Sequence, residues 1–119
     1  MKTDYPAKNV VSIWIGNFQT EMAFDEYVDE TLAPSLELPT HISAISEVTF
    51  EKASKPIAEL LDGFSGWKTF TSAAVAAATA KQVTSANAAL VCYYLACSAA
   101  EDSPGKMTFI GTFPGNDHG

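Results

Sequence analysis

The stretch Val10 to Phe18, VVSIWIGNF, decides the fold of this chain. Its β-branched and aromatic residues predict a strand over Val10 to Gly16, ended by Gly16 and Asn17. Alternation along the strand divides it into one face with Val11, Ile13 and Ile15 and another with Val10, Ser12 and Trp14. Because both faces carry apolar groups, we expect a central strand with Trp14 in the core.

An amphipathic helix is predicted directly after this strand, over Glu21 to Leu32. Thr20 is placed to accept a hydrogen bond from a free backbone N–H of the first turn. The expected buried stripe consists of Phe24, Tyr27, Val28, Thr31 and Leu32. The opposite side of the helix is entirely acidic and consists of Glu21, Asp25, Glu26, Asp29 and Glu30.

The acidic side of this helix is not arranged for helix stability. Asp25 with Asp29 and Glu26 with Glu30 are like-charge pairs four residues apart, each destabilising by about 0.2–0.5 kcal/mol. Asp29 and Glu30 also lie toward the negative end of the helix dipole. The acidic side has two interpretations: a solvated face that only aids solubility, and a binding face. The unfavourable arrangement of its charges favours the binding role.

The remaining chain alternates strand-like and helix-like segments. Strands are predicted at Ile42 to Phe50, Asn87 to Leu95 and Met107 to Phe113, the last two as an antiparallel hairpin. Helices are predicted from Pro56 through Leu61 and from Ser72 to Val83, the latter rich in alanine. The predicted fold class is α+β: one domain over residues 1–119, with a core at about 10–113 and flexible ends. Its single-layer sheet, mixed or antiparallel, has about four strands packed against about three helices.

Composition restricts the partners of the chain. Its 119 residues include 14 acidic residues and seven lysines, with no arginine, and the net charge is −7. Nucleic acids and anionic membranes are bound by clustered cations, so neither is an expected partner. No segment reaches the ~18 consecutive apolar residues of a membrane span. Cys92 and Cys97 are interpreted as buried free thiols in a reducing compartment, and we expect a cytoplasmic protein.

Motifs for catalysis, metals or cofactors are not found in the sequence. His41 and His118 are the two histidines, and neither belongs to a ligand or triad pattern. We therefore predict no catalytic residues, no cofactor and no metal. Carboxylates are abundant, so a carboxylate-dependent hydrolase stays open as a weaker alternative. Trp67, in a Gly- and Ser-flanked turn, is a candidate binding anchor.

Several of these segments together resemble a known family. VSIWIGNF followed by DEYVDETL is similar to the opening of the immunity protein 22 family of bacterial polymorphic toxin systems. LLDGFSGWKTF, LVCYYL and FIGTF follow in a similar order, so the resemblance covers roughly Val10 to Phe113. One departure is ISEVTFEK, which keeps only Glu47 and Glu51 where the family pattern is dense in Asp, Glu and Tyr.

The resemblance implies a small, non-enzymatic cytoplasmic protein that binds and neutralises a cognate bacterial toxin domain, for example a nuclease with a basic cleft. Opposite charge would speed such an encounter. The residues expected to contact the toxin are Asp25, Glu26, Asp29, Glu30, Glu47, Glu51 and Trp67. The alternative is a small ligand-binding or regulatory module with a pocket between the sheet and the Ala-rich helix.

Overall fold

The strand predicted over Val10–Gly16 forms, and it lies inside a four-stranded antiparallel sheet in the computed structural model, which describes residues 2–98 and 106–118. The strands are β1 (Thr3–Asp4), β2 (Val10–Gly16), β3 (Ser46–Pro56), β4 (Ser85–Tyr93), β5 (Ala96–Cys97) and β6 (Met107–Pro114). The helical elements are α1 (Glu21–Tyr27), a π-helical turn (Val28–Leu32), α2 (Ala33–Leu36), a 3-10 turn (Ile42–Ala44), α3 (Ile57–Leu61) and α4 (Trp67–Ala80). The main sheet has the order β3-β4-β2-β6, and β1 pairs with β5 separately.

Each face of the main sheet has its own hydrophobic core. Val11, Ile13 and Ile15 pack with α3 and α4 on one face. Trp14, fully buried as predicted, packs on the other face with the segment from α1 to α2. The α+β class is thereby confirmed: the main antiparallel sheet has four strands and is covered by helices on both faces, and β1 and β5 form a second, two-stranded antiparallel sheet.

The predicted hairpin of the last two long strands is wrong, because β2 lies between β4 and β6. Residues 11–16 are all buried, so both edges of β2 need a neighbouring strand for their backbone groups. Ser12 of β2 lies between β4 and β6. Its Oγ donates to the carbonyl of Leu95 at 2.6 Å and lies 2.7 Å from Oγ1 of Thr112. After β4 the chain turns away at Tyr94, whose φ is +61°.

The first helical segment is longer than predicted. Thr20 caps it as expected, with Oγ1 accepting from the N–H of Ala23 at 3.1 Å, but helical structure continues past Leu32 to the end of α2. Pro34 lies at the start of α2, directly after the π-helical turn. Thr31, predicted to be buried, is exposed.

The π-helical turn explains which residues of this segment are buried. The buried residues follow a spacing of four: Phe24, Val28, Leu32 and Leu36. In an α-helix of 3.6 residues per turn, residues four apart drift around the axis by about 40° at each step. The wider π turn offsets this drift and keeps the four side chains directed at one core.

The other boundaries moved for local reasons. Strand β3 begins at Ser46 because residues 42–44 form a 3-10 turn, and it continues to Pro56 with a register shift after Phe50. Helix α3 ends as predicted, before Gly63 at φ +99°. Helix α4 begins at Trp67, five residues before the predicted start, because Gly66 at φ +67° ends the preceding turn.

Both ends of the described chain make specific contacts. Thr3 Oγ1 donates to the carbonyl of Leu36 at 3.0 Å, and the N–H of Gly115 donates to the carbonyl of Asn9 at 3.0 Å. The N–H of Asn116 donates to Thr69 Oγ1 at 3.1 Å. The flexible ends predicted from the sequence stay a prediction. The contacts of Gly115 and Asn116 hold this end of the described chain against Asn9 and α4.

Candidate binding surfaces

The acidic side of the first helix is an exposed surface, as its sequence spacing predicts. We call Glu21, Asp25, Glu26, Asp29 and Glu30 the acidic face, and all five residues are exposed. In the part of the chain that the structure describes, none of them lies within 4.0 Å of a cationic group. The face therefore presents five carboxylates without a counter-charge from residues 2–98 and 106–118.

Glu47 behaves differently from these residues, because it belongs to a hydrogen-bond network. Its Oε1 accepts from the N–H of Ser65 at 2.8 Å and from the Tyr93 hydroxyl at 3.0 Å. Its Oε2 accepts from Ser65 Oγ at 2.6 Å. The Tyr93 hydroxyl also lies 2.7 Å from the carbonyl of Ser65. Glu47 thus ties the first residues of β3 to the turn before α4.

This network sets the protonation state of Glu47. Burial would raise the pKa of the carboxyl, but the hydrogen bonds from Ser65 and Tyr93 outweigh burial and bring the pKa below its ordinary value of 4.5. Nearby Asp117 opposes this shift by charge repulsion. Glu47 is therefore held ionised, whereas a carboxyl acting as a general acid needs a raised pKa.

A pH-dependent contribution to stability follows from the Glu47 network. Because the pKa is lower in the folded state, this contribution is present above pH 4.5 and is lost as the pH falls through the folded pKa. We expect Glu47→Gln to lower the free energy of unfolding at pH 7 by about 1–2 kcal/mol through weakened charge-assisted bonds.

Denaturant unfolding of both proteins between pH 7 and pH 3 measures this contribution. The gap between wild type and Glu47→Gln should narrow as the pH falls below 4.5. Glu59→Gln, which removes an exposed carboxylate from α3, is the matched control. A gap that is constant across this range would contradict the assigned role of the network.

A pocket with a volume of about 320 Å³ opens beside Glu47. We call it the tyrosine–carboxylate pocket, and its chemically distinctive lining residues are Tyr5, Ser46, Glu47, Tyr93, Tyr94 and Asp117. The Tyr94 hydroxyl donates to Asp117 Oδ1 at 2.9 Å, and this bond raises the pKa of Tyr94. Two carboxylates and three phenol side chains therefore share one concavity.

The predicted contact residues divide between the two faces of the sheet. Glu47 is paired with Val91, which packs with α3 and α4, whereas the acidic face lies on the helix that covers Trp14. Trp67 is half-buried at the start of α4, with Lys68 Nζ 5.8 Å from its ring centroid. Glu51 is exposed on β3, near the register shift. The structure thus joins Glu47 to a pocket that the acidic face does not line.

Apart from Glu47, the chemically distinctive residues of the pocket were not predicted from the sequence: Tyr5, Ser46, Tyr93, Tyr94 and Asp117. One sequence feature could have pointed to Tyr93 and Tyr94 as pocket residues. They stand side by side in the apolar segment LVCYYL, and a buried phenol requires a hydrogen-bond partner. The identity of those partners was not readable, since Ser65 and Asp117 lie 28 and 23 residues away from the tyrosines they contact.

The alternative, a ligand-binding module with a pocket between the sheet and α4, stays a prediction. Ala74 and Ala78 of α4 are fully buried against the sheet, because their small side chains allow close approach. A pocket of about 660 Å³ lies at the Gly16 end of β2, and its lining includes Gly16, Phe18 and Lys106.

Metal-binding clusters and membrane-spanning helices are both absent from the described residues. No group of three or more His, Cys, Asp or Glu in residues 2–98 and 106–118 is arranged to hold a metal ion. Across the same residues, no helix has the length and apolar character needed to cross a membrane. Cys92 is buried and Cys97 partly buried, and both are free thiols.

Comparison with known proteins gave no match: no protein-family model, no curated protein and no solved structure matches this chain. The fold and the two surfaces define a small α+β protein with an acidic exterior. The resemblance to the immunity protein 22 family stays a prediction.

Proposed function

We propose that this protein is a non-enzymatic immunity protein that binds and neutralises a cognate bacterial toxin domain, using the acidic face as its main contact. The observation that carries the proposal is the set of five exposed carboxylates on one helical surface without a cationic neighbour in the described chain. Repulsion within the set destabilises the free protein, and a basic partner would relieve it.

The physical role of such a surface is to guide and hold a basic partner. Complementary charge raises association rates to about 10⁸–10⁹ M⁻¹s⁻¹ at low salt. The face is also supported by a rigid base, because Phe24, Val28 and Leu32 anchor the same helical segment in the core. A preorganised surface loses less conformational entropy on binding.

A nuclease with a basic cleft is the toxin class that this surface fits best. Carboxylates spaced along a helix can occupy the positions that phosphates take in such a cleft. Barnase and barstar, two other proteins, bind each other through close charge pairs of this kind. The chain has a net charge of −7, which adds long-range attraction toward a basic protein.

Charge reversal on the acidic face tests the proposal. The triple variant Asp25→Lys, Asp29→Lys, Glu30→Lys should fold, since all three residues are exposed. Its association with the toxin should slow by at least about tenfold at low salt, and this difference should shrink as salt screens the charges. Stopped-flow or surface-binding kinetics at several salt concentrations provide the measurement.

A matched control separates the face from the overall charge. Asp4→Lys, Glu59→Lys, Asp62→Lys changes the net charge equally at three exposed positions outside the acidic face. Only a small rate change is expected for this control. Equal slowing in both triple variants would mean that net charge acts alone, and unchanged binding in the first would move the interface elsewhere.

The immunity function itself is tested in cells. Co-expression of this protein should restore growth to bacteria that produce the toxin encoded next to its gene, and a purified complex should form from the two proteins. No rescue by a stably folded protein would refute the proposed function, whichever surface is used.

A further inference from the structure

We propose that the tyrosine–carboxylate pocket binds a guanidinium group, the group that an arginine side chain carries, as a second binding site separate from the acidic face. The pocket combines a half-buried carboxylate, a second carboxylate and three tyrosines within about 320 Å³. This inference goes beyond the proposed immunity function and does not depend on it.

The charge of the pocket is not balanced from within. The donors to Glu47 within the described part of the chain are all neutral, namely the Ser65 N–H, the Ser65 hydroxyl and the Tyr93 hydroxyl. Asp117 lies 3.3 Å from Nε2 of His118, a side chain that is 85% exposed. Among residues 2–98 and 106–118, no lysine lines the pocket. A cation entering it would therefore meet two carboxylates with little competition from the protein itself.

The remaining acceptors suit a donor with several N–H groups. Oε2 of Glu47 accepts one bond and has capacity for another, because a carboxylate oxygen has two lone pairs. Oδ2 of Asp117 accepts none from residues 2–98 and 106–118. A guanidinium group carries five donors in a planar fork, so it has enough donors for both oxygens.

The tyrosines favour guanidinium over ammonium. Tyr5 and Tyr94 are partly exposed and line the same pocket as the two carboxylates, whereas Tyr93, the third tyrosine of the lining, is only 5% exposed. Guanidinium is planar and weakly hydrated, and it associates with aromatic rings more often than the ammonium of lysine does. A pocket with both aromatic and anionic walls therefore selects arginine-like groups.

The ligand must come from outside these 119 residues. The 119 residues contain no arginine, so no segment among them can supply the group. Two sources share the required chemistry: an arginine side chain of a protein partner and a free small guanidinium compound such as agmatine. Their relative affinities for the pocket distinguish them.

Titration of the ¹⁵N-labelled full chain with N-acetyl-arginine N-methylamide tests the site. Saturable NMR shifts are expected at residues 44–47, 93–94 and 117, with a dissociation constant of about 1–10 mM, as suits a single side-chain group. The citrulline analogue has the same shape without the charge and should bind at least about tenfold more weakly.

Two variants assign the binding to the pocket. Asp117→Asn keeps an acceptor for Tyr94 but removes the charge, and it should weaken binding at least about fivefold. Glu59→Gln removes one charge outside the pocket and should leave binding unchanged. Equal binding of the citrulline analogue, unchanged binding by Asp117→Asn, or shifts confined to the acidic face would each overturn the proposal.

Comparison of the capped arginine with agmatine identifies the source. Equal or tighter binding of the capped arginine assigns the pocket to a protein side chain, and agmatine binding about tenfold tighter assigns it to a free compound. Failure here is distinguishable from failure of the immunity proposal, because Asp117→Asn leaves the acidic face intact and the lysine triple variant leaves the pocket intact.

Discussion

Replacing Trp14 with alanine should lower the free energy of unfolding by about 3–5 kcal/mol. The side chain is fully buried in the middle of β2, and its ring centroid lies 4.9 Å from that of Phe109 on the neighbouring strand. Truncation leaves a cavity between a central strand and the helices that cover it. Since small domains are stable by about 5–15 kcal/mol, the variant should be largely destabilised in a urea titration.

Trp14→Phe provides the informative control for this prediction. The indole Nε1–H is buried without a hydrogen-bond partner among the described residues, so phenylalanine removes an unpaired donor together with some packing volume. We expect a loss of only about 1–2 kcal/mol. A Trp14→Ala variant within about 1 kcal/mol of wild type would show that the core can collapse around the missing ring.

Gly66→Ala should be the second strongly destabilising change, with an expected loss of about 2–4 kcal/mol in unfolding free energy. Its φ of +67° disfavours any side chain, and an added Cβ would lie 1.8 Å from the carbonyl oxygen of Asn116. Because this distance is far below van der Waals contact, the segment at 116–117 must move away from α4.

Gly63→Ala separates the clash from the backbone strain. Gly63 also has a positive φ, +99°, but an alanine Cβ there would have no neighbouring atom within 4 Å. Chemical denaturation should therefore show a larger loss for Gly66→Ala, accompanied by NMR shifts at Asn116 and Asp117. Equal losses for the two variants would mean that strain alone acts and that the contact with Asn116 is unimportant.

The sequence was most informative where structure is local. The bounds and faces of β2, the Thr20 cap and the exposure of the acidic face all follow from spacing within one segment. The start of α4 was missed because Gly66 fixes it through a left-handed turn rather than through composition. The partner of β4 was missed because pairing is decided by competition among distant strands.

The two candidate sites also differ in whether local sequence spacing is sufficient to predict them. The acidic face is a repeat along one helix, so hydropathy and charge spacing were sufficient to find it. The tyrosine–carboxylate pocket is assembled from separate parts of the chain at residues 5, 44–47, 65, 93–94 and 117. Only Glu47 among the predicted contact residues belongs to it, and its partners were set by tertiary packing.

The position of β2 between β4 and β6 has a consequence for synthesis on the ribosome. Ser12 pairs with Thr112, so the inner strand β2 obtains its second neighbour only after residues 107–114 have been translated. Until then, a strand with apolar side chains on both faces has an open edge, which is prone to pairing with other chains. We expect nascent chains that stop before Met107 to need chaperone protection, whereas release of residues 107–114 completes the sheet.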